Sequence, residues 1–369
     1  MMTQSISETP PGSRGDAFQE TMANWLSRAV PDRAQNQCFD LPAILATDIG
    51  LQREENQDRV AALRLSARQS SQPIIAVVVA DGMGGMRDGA KCATLAVSSF
   101  FHALVRHRHQ GLEQRAAAAA AHANDAVYAF AGGRGGATLS ALLFDTGAPP
   151  VIINLGDSRI YACGKGVKVE RLTVDDSLEE AVGGHGRDLL QFVGMGAGMK
   201  PHIRTVPPNV LELALTTDGI HYIEADTLAS VLYHAPDPKA AADRLSALAR
   251  WCGGHDNASL ALVDLKALSS PAARNQEGGI QVWDPFGTMA ISWLRDIAEA
   301  PRPQAAAAPD VAPLKENQDR PSSPNKSRKG TRRTSKKAAK NLRPPQDDVQ
   351  LEIQIEQSAD VKDGDDDSR

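Results

Sequence analysis

The spacing of apolar residues divides the chain into stretches of different texture. Near the N-terminus Phe18, Met22, Trp25, Leu26 and Val30 recur at helical spacing within a polar, proline-containing segment. Residues 1–40 therefore read as a tail carrying one short amphipathic helix. From Leu41 to about Leu265 short apolar runs alternate with helical patterns between glycine clusters and proline turns, which places a folded domain at 41–266. Ile74 to Ala80 is a continuous β-branched run of strand length, as for a strand buried on both faces, and it ends at Asp81-Gly82. Cys92, Leu95, Ala96, Ser99, Phe100, Ala103 and Leu104 share one helical face, and the alanine-rich stretch Ala116 to Phe130 predicts a second long helix. Strand-like runs follow at Thr138–Phe144, Val151–Leu155, Ser158–Ala162, Val167–Leu172 and Leu211–Thr216. Helical patterns cover Asp226–His234 and Pro238–Cys252, the second opened by Asp237 as N-cap, and Ala258–Leu265 closes the domain as a strand. Most connections are too short for parallel crossovers, so the strands should pair antiparallel in a layered α/β packing.

Beyond residue 266 a linker, 267–300, carries Phe286, Met289, Ala290, Trp293, Leu294 and Ile297 at helical spacing, predicting an amphipathic helix that packs on its own domain or docks a partner. Residues 301–369 hold few core-forming side chains and read as a disordered tail. Lys326 to Arg343 contains nine basic residues and no acidic ones, whereas Asp347 to Arg369 contains nine acidic and two basic residues. The basic block offers a surface for nucleic acid, an anionic membrane or an acidic partner, and its Ser327, Thr331, Thr334 and Ser335 could be phosphorylated. No aromatic residue interleaves with it to stack on bases, so nucleic acid is not the expected partner and a solubilising tail is the plainer reading. The net charge of -5 hides this polarity. With 369 residues and ordinary composition the chain can bury a sizeable core. It shows no apolar run long enough to span a bilayer and no signal-peptide stretch, which points to the cytoplasm. Cys38, Cys92, Cys163 and Cys252 form no CxxC pair and are expected to be reduced and structural. Cys252 and His255 lack a second nearby pair, which argues against zinc.

Candidate chemistry lies at the strand ends. Asp81-Gly82, Asp157-Ser158, Asp218-Gly219 and Asp256-Asn257 each put a carboxylate where a strand gives way to a turn. An aspartate just past a buried strand is rigidly held yet faces solvent, as an oxygen-seeking cation requires. Taken singly, such dipeptides simply make turns.

Their context resembles the metal-dependent protein phosphatase family, the type 2C serine/threonine phosphatases, over residues 46–265. The carrying motifs, in the family's order, are ATDIGLQREENQDRV at 46–60, VVVADGMGG at 77–85, GGATLSALLF at 135–144, INLGDSRIY at 153–161, LTVDDS at 172–177, LALTTDGI at 213–220 and DNASLALV at 256–263. The resemblance implies an α+β fold, a four-layer α-β-β-α sandwich with two antiparallel sheets. It implies hydrolysis of phosphoserine and phosphothreonine in proteins by a metal-bridging hydroxide, with two or three Mn²⁺ or Mg²⁺ ions. Asp81 would bridge two ions with the carbonyl of Gly82 contributing, Asp218 and Asp256 would complete the first ion's shell, and Asp58 would act through metal-bound water. Asp157, with Asp218, matches the ligands of a looser third metal. Arg53 matches the phosphate-binding arginine, whose planar fork can hold two phosphate oxygens. The substrates would be phosphoproteins of a bacterial serine/threonine kinase. The alternative is a phosphatase-like regulatory or binding module with weak or no activity.

The chain departs from the family in three places. Met83 stands where animal members carry a histidine, a candidate acid for the leaving alkoxide, which places the chain with the bacterial branch. Asp176 replaces the usual histidine of LTxDHS, and Ser177 to Val210 is short for the family's flap. Glycines 183, 184, 186, 194, 196 and 198 serve this loop; no P-loop lysine follows them. These departures bear on substrate choice rather than on the carboxylates.

Overall fold

The computed structural model describes residues 14–38, 40–66, 73–83, 88–183, 188–269, 279–293 and 351–357. Two antiparallel sheets face each other, with helices against their outer faces. The first sheet runs β1-β2-β11-β10-β7-β8, built from β1 (Arg33–Gln37), β2 (Ala43–Asp48), β7 (Arg159–Cys163), β8 (Glu170–Arg171), β10 (Glu212–Thr216) and β11 (Ala258–Asp264). The second runs β14-β13-β12-β3-β4-β5-β6-β9, from β3 (Arg59–Leu65), β4 (Ile74–Ala80), β5 (Leu139–Asp145), β6 (Val151–Leu155), β9 (His202–Thr205), β12 (Gly279–Asp284), β13 (Gly287–Trp293) and β14 (Leu351–Gln357). Helices α1 (Arg14–Leu26), α2 (Gly89–Arg106) and α3 (Leu112–Ala131) accompany the second sheet, and α6 (Ala225–His234) and α7 (Pro238–Trp251) the first. Three short helices, α4 (Leu178–Val182), α5 (Asp218–His221) and α8 (Leu265–Leu268), complete the described elements.

The central strands lack an alternating pattern because both faces are covered. In β2, Leu45 points into the core between the sheets while Ile44 and Ala46 pack toward α6 and α7; in β11, Ala261 and Val263 face inward while Leu260 and Leu262 face the helices. From β4, Ile75, Val77 and Val79 meet this same core. Asp237 caps α7 by accepting a hydrogen bond from Ala240 N at 2.8 Å, with Pro238 in the first turn, as the sequence predicts.

The ends of the domain differ from the sequence expectation. Residues 1–40 are not simply a tail, because β1 pairs with β2 along its length and α1 lays Met22, Trp25 and Leu26 into buried positions. Gln19 Nε2 of α1 donates to Ser99 Oγ of α2 at 2.7 Å. The helix expected across Phe286 to Ile297 is instead a β-hairpin through Trp293, with Leu294 and Ile297 outside the described residues. Helical spacing at Met289, Ala290 and Trp293 coincides with period two: Gly287, Met289 and Ile291 are buried while Thr288 and Ala290 are partly open. Antiparallel pairing of the segment with β12 settles the outcome, and in the turn between them Asp284 Oδ1 accepts from Phe286 N at 2.9 Å. The hairpin extends the sheet by pairing β12 with β3, and Arg28 grips Asp284 through two bonds of 2.5 and 2.9 Å. Within the stretch expected to be disordered, Leu351–Gln357 forms strand β14 beside β13; Leu351, Ile353 and Ile355 alternate with polar residues, the pattern of a strand. The charged blocks otherwise lie outside the described residues. No described helix is long and apolar enough to cross a membrane.

Candidate active site

Strand register explains how aspartates distant in sequence meet. In the second sheet Arg59 pairs with Ala80, so Asp58, just before β3, lies beside Asp81, just after β4. In the first sheet Thr216 pairs with both Leu260 and Arg159. Asp218 follows β10, Asp256 precedes β11 and Asp157 precedes β7, so these three collect at one end of that sheet. The two groups face each other across the sandwich. The charges of Asp58, Asp218, Asp157 and Asp256 all act on Asp81, and those of Asp256, Asp157 and Asp58 on Asp218.

Two glycines allow this convergence. A Cβ on Gly82 would collide with the backbone of Gly89 and Gln57, and one on Gly219 with the backbone of Asn257.

The electrostatic consequence is severe. Burial, then the neighbouring carboxylates, drive Asp81 well above the ordinary carboxylate range. Burial pushes Asp58 up to about 7, with Asp256 adding to it and hydrogen bonds from Thr217 and Ser259 opposing. Asp218 is likewise raised to about 7, by burial and then by Asp256 and Asp157. As whole residues Asp81 and Asp218 keep some exposure, whereas Asp58 is 3 % exposed. Asp58 Oδ1 and Asp218 Oδ1 are both sealed from water without a hydrogen-bond partner. Orphaned carboxylate oxygens in a repelling cluster fit hard divalent cations. Among the described residues no group of three or more His, Cys, Asp or Glu side chains is arranged to hold a metal ion by itself.

Arg53 reaches the cluster from the 49–57 loop. Its Nη2 donates to Asp256 Oδ2 at 2.6 Å, and this bond, with the charges of Asp256, Asp218 and Asp81, raises its pKa further. The Arg53 side chain is 42 % exposed, and only Nη2 of its fork is engaged by Asp256. Met83 is fixed by its backbone N–H to Gly136 O at 3.1 Å.

A set of polar braces was not anticipated from the sequence. Thr217 Oγ1 donates to Asp58 Oδ2 at 2.8 Å and accepts from Ser259 N at 2.9 Å. Thr138 Oγ1 accepts from Asp81 N at 2.9 Å and lies 2.6 Å from Ser158 Oγ. Asn257 pins the Arg53 loop: its Nδ2 donates to Ile49 O at 2.9 Å and Glu55 O at 3.1 Å, and its Oδ1 accepts from Gln57 N at 2.7 Å. The available signal was hydroxyl and amide residues next to strand-end aspartates within buried runs. Asp176 is also a brace, holding the turn at Gly156 and the segment after residue 188.

The sequence pattern of the family described as Protein phosphatase 2C matches residues 52–263. Among solved structures, the PPM Ser-Thr phosphatase MsPP from Mycobacterium smegmatis in complex with cacodylate is 26 % identical, with a TM-score of 0.51 over 60 % of this chain and 97 % of that one. The catalytic domain of the serine threonine protein phosphatase PstP in complex with two manganese ions is 25 % identical, with a TM-score of 0.50 over 60 % and 96 %. Serine/threonine phosphatase Stp1 from Staphylococcus aureus, at 22 % identity, shares the fold, with a TM-score of 0.52 over 61 % and 95 %. No curated protein matches the chain in sequence. With the fold shared and the family's pattern matching more than half its length, the chain belongs to the protein phosphatase 2C family of metal-dependent serine/threonine protein phosphatases.

Proposed function

We propose that the chain hydrolyses phosphoserine and phosphothreonine in proteins at the carboxylate cluster, with Mn²⁺ or Mg²⁺ as its metal. The observation that carries this reading is the convergence of Asp58, Asp81, Asp157, Asp218 and Asp256, with two sealed, unpartnered oxygens, next to the partly exposed guanidinium of Arg53. Asp81 and the carbonyl of Gly82 would hold a shared pair of ions, Asp218 and Asp256 the first of them, and Asp157 with Asp218 a third. Bound there, the ions would supply Lewis acidity and would acidify the water that serves as nucleophile toward phosphorus.

The remaining work falls to the protein. Arg53 would take two oxygens of the phosphoryl group and offset charge that grows during in-line displacement. Asp58, held by Thr217, would act through metal-bound water. Asn257 keeps the arginine loop at the site and limits reorganisation on substrate arrival. The opposing enzyme is a serine/threonine kinase of bacterial type, and the compartment is the cytoplasm.

The test is phosphate release from a phosphothreonine peptide by chelator-treated full-length protein, with Mn²⁺ or Mg²⁺ restored. Metal-dependent turnover that is lost in Asp81→Ala supports the proposal. A wild-type protein inert with both metals would sink it in favour of a phosphatase-like regulatory module.

A further inference from the structure

The segment from Asp188 to Lys200, short for a flap, is stitched to the body at several points. Ala137 bridges to Gly82 on one side and to Val193 on the other, so Val193 lies one strand away from the Asp81-Gly82 turn. Asn124 of α3 accepts from Gly194 N at 3.0 Å and Gly196 N at 3.2 Å, and its Nδ2 donates to Gly196 O at 3.0 Å. Asp176 makes the third attachment. Its Oδ2 accepts from Gly156 N at 3.0 Å, while its Oδ1 lies 2.9 Å from Gln191 Nε2 and 2.8 Å from His202 Nε2. Its backbone accepts from Leu190 N at 2.7 Å and donates to Gly156 O at 3.0 Å. Gln191 passes the restraint on, since its Oε1 accepts from Lys200 N at 2.8 Å.

Asp176 is 7 % exposed and sits where the family carries a histidine; here the histidine is on the other side of the contact, on β9. The side chain thus joins the turn leading into Asp157 to both ends of the segment. Within the segment Leu190 is 48 % exposed, Phe192, Met195 and Met199 are half-buried, and the Phe192 ring lies against Gly136. The segment thus brings apolar and adaptable side chains onto a stretch whose Val193 is one bridge removed from Gly82.

We propose that Asp176 is a positioning residue that locks residues 188–200 as a fixed wall next to Asp81 and Gly82, against which the polypeptide flanking a phosphoresidue lies. This rests on the phosphatase reading above. The wall acts on phosphoproteins and has little to offer a small phosphate ester, which fills only the carboxylate and arginine site.

The first arm of the test needs no metal. Hydrogen exchange is followed in chelator-treated full-length wild type, Asp176→Asn and the exchanged pair Asp176→His/His202→Asp. Exchange in residues 188–200 should rise about tenfold or more in Asp176→Asn, with β4 and β5 unchanged, and should fall back in the exchanged pair. Unaltered exchange in Asp176→Asn, or a rise throughout the domain, overturns the anchoring. In the second arm, with Mn²⁺, KM for a phosphothreonine peptide with apolar flanks should rise about tenfold in Asp176→Asn while kcat, and kcat/KM for an aryl phosphate, change by about threefold or less. Equal losses on both substrates overturn the wall and place the effect on the Asp157 turn. A wild type inert on both substrates refutes the phosphatase reading instead, and the metal-free exchange arm still decides whether Asp176 is the anchor.

Discussion

Replacing Asp58 by asparagine should stabilise the metal-free protein at about pH 8 while impairing turnover. Asp58 is 3 % exposed, and burial lifts it from 3.8 to about 7. A carboxyl whose folded pKa exceeds its unfolded one destabilises the fold as pH rises. Below pH 3.8 both states hold the proton and nothing is lost. Between 3.8 and about 7 the unfolded chain ionises while the folded one does not, and above about 7 the full loss is present. At about 1.36 kcal/mol per pH unit, the separation amounts to about 4 kcal/mol at most, and relaxation of the site reduces it to about 2–4 kcal/mol. Asparagine keeps an acceptor for Thr217 Oγ1 and carries no charge. Thermal melts with chelator present should therefore show Asp58→Asn melting roughly 5–10 °C above wild type at about pH 8, with the gap shrinking to a degree or two at about pH 4. An asparagine variant that is less stable than wild type by the same amount at both pH values would refute the electrostatic reading of the cluster.

Other substitutions probe the surrounding parts. Arg53→Lys keeps the charge but loses the planar fork, so kcat/KM on a phosphothreonine peptide should fall about 10- to 100-fold with metal affinity little changed, as read by steady-state kinetics and metal titration. Asn257→Ala removes three contacts to the 49–57 loop and should cost about 2–4 kcal/mol in urea unfolding while raising KM. Asp284→Ala leaves Arg28 unpaired at a site where the side chains are only 20 % and 6 % exposed, and should cost about 2–4 kcal/mol by the same measurement, with kcat retained.

Much of the interior was legible in the sequence because its elements have local causes. Ile74–Ala80 is a strand from end to end, and Asp237 with Pro238 starts α7 where capping chemistry puts it. The edges were less legible. β1, Arg33–Gln37, is RAQNQ, with a single small apolar side chain, and is a strand only because β2 offers it a partner. At residues 286–293 helical and strand spacing overlap, and pairing with β12 decides for the hairpin. The site divides in the same way. The aspartates and Arg53 stand out through their motifs, whereas Thr217, Thr138 and Asn257 gain meaning only from partners in other strands and loops. Asp176 was visible as a departure, but its contacts with Gly156, Gln191 and His202 arise from the tertiary fold.

Mutual repulsion among these aspartates should be relieved by bound divalent cations. Calorimetric titration of Mn²⁺ into chelator-treated full-length protein tests it most directly. About two or more ions should bind per chain, with binding weakened at least about tenfold by the near-isosteric change Asp81→Asn. A wild type that binds no Mn²⁺, or an Asp81→Asn variant that binds it as tightly as wild type, would contradict the account.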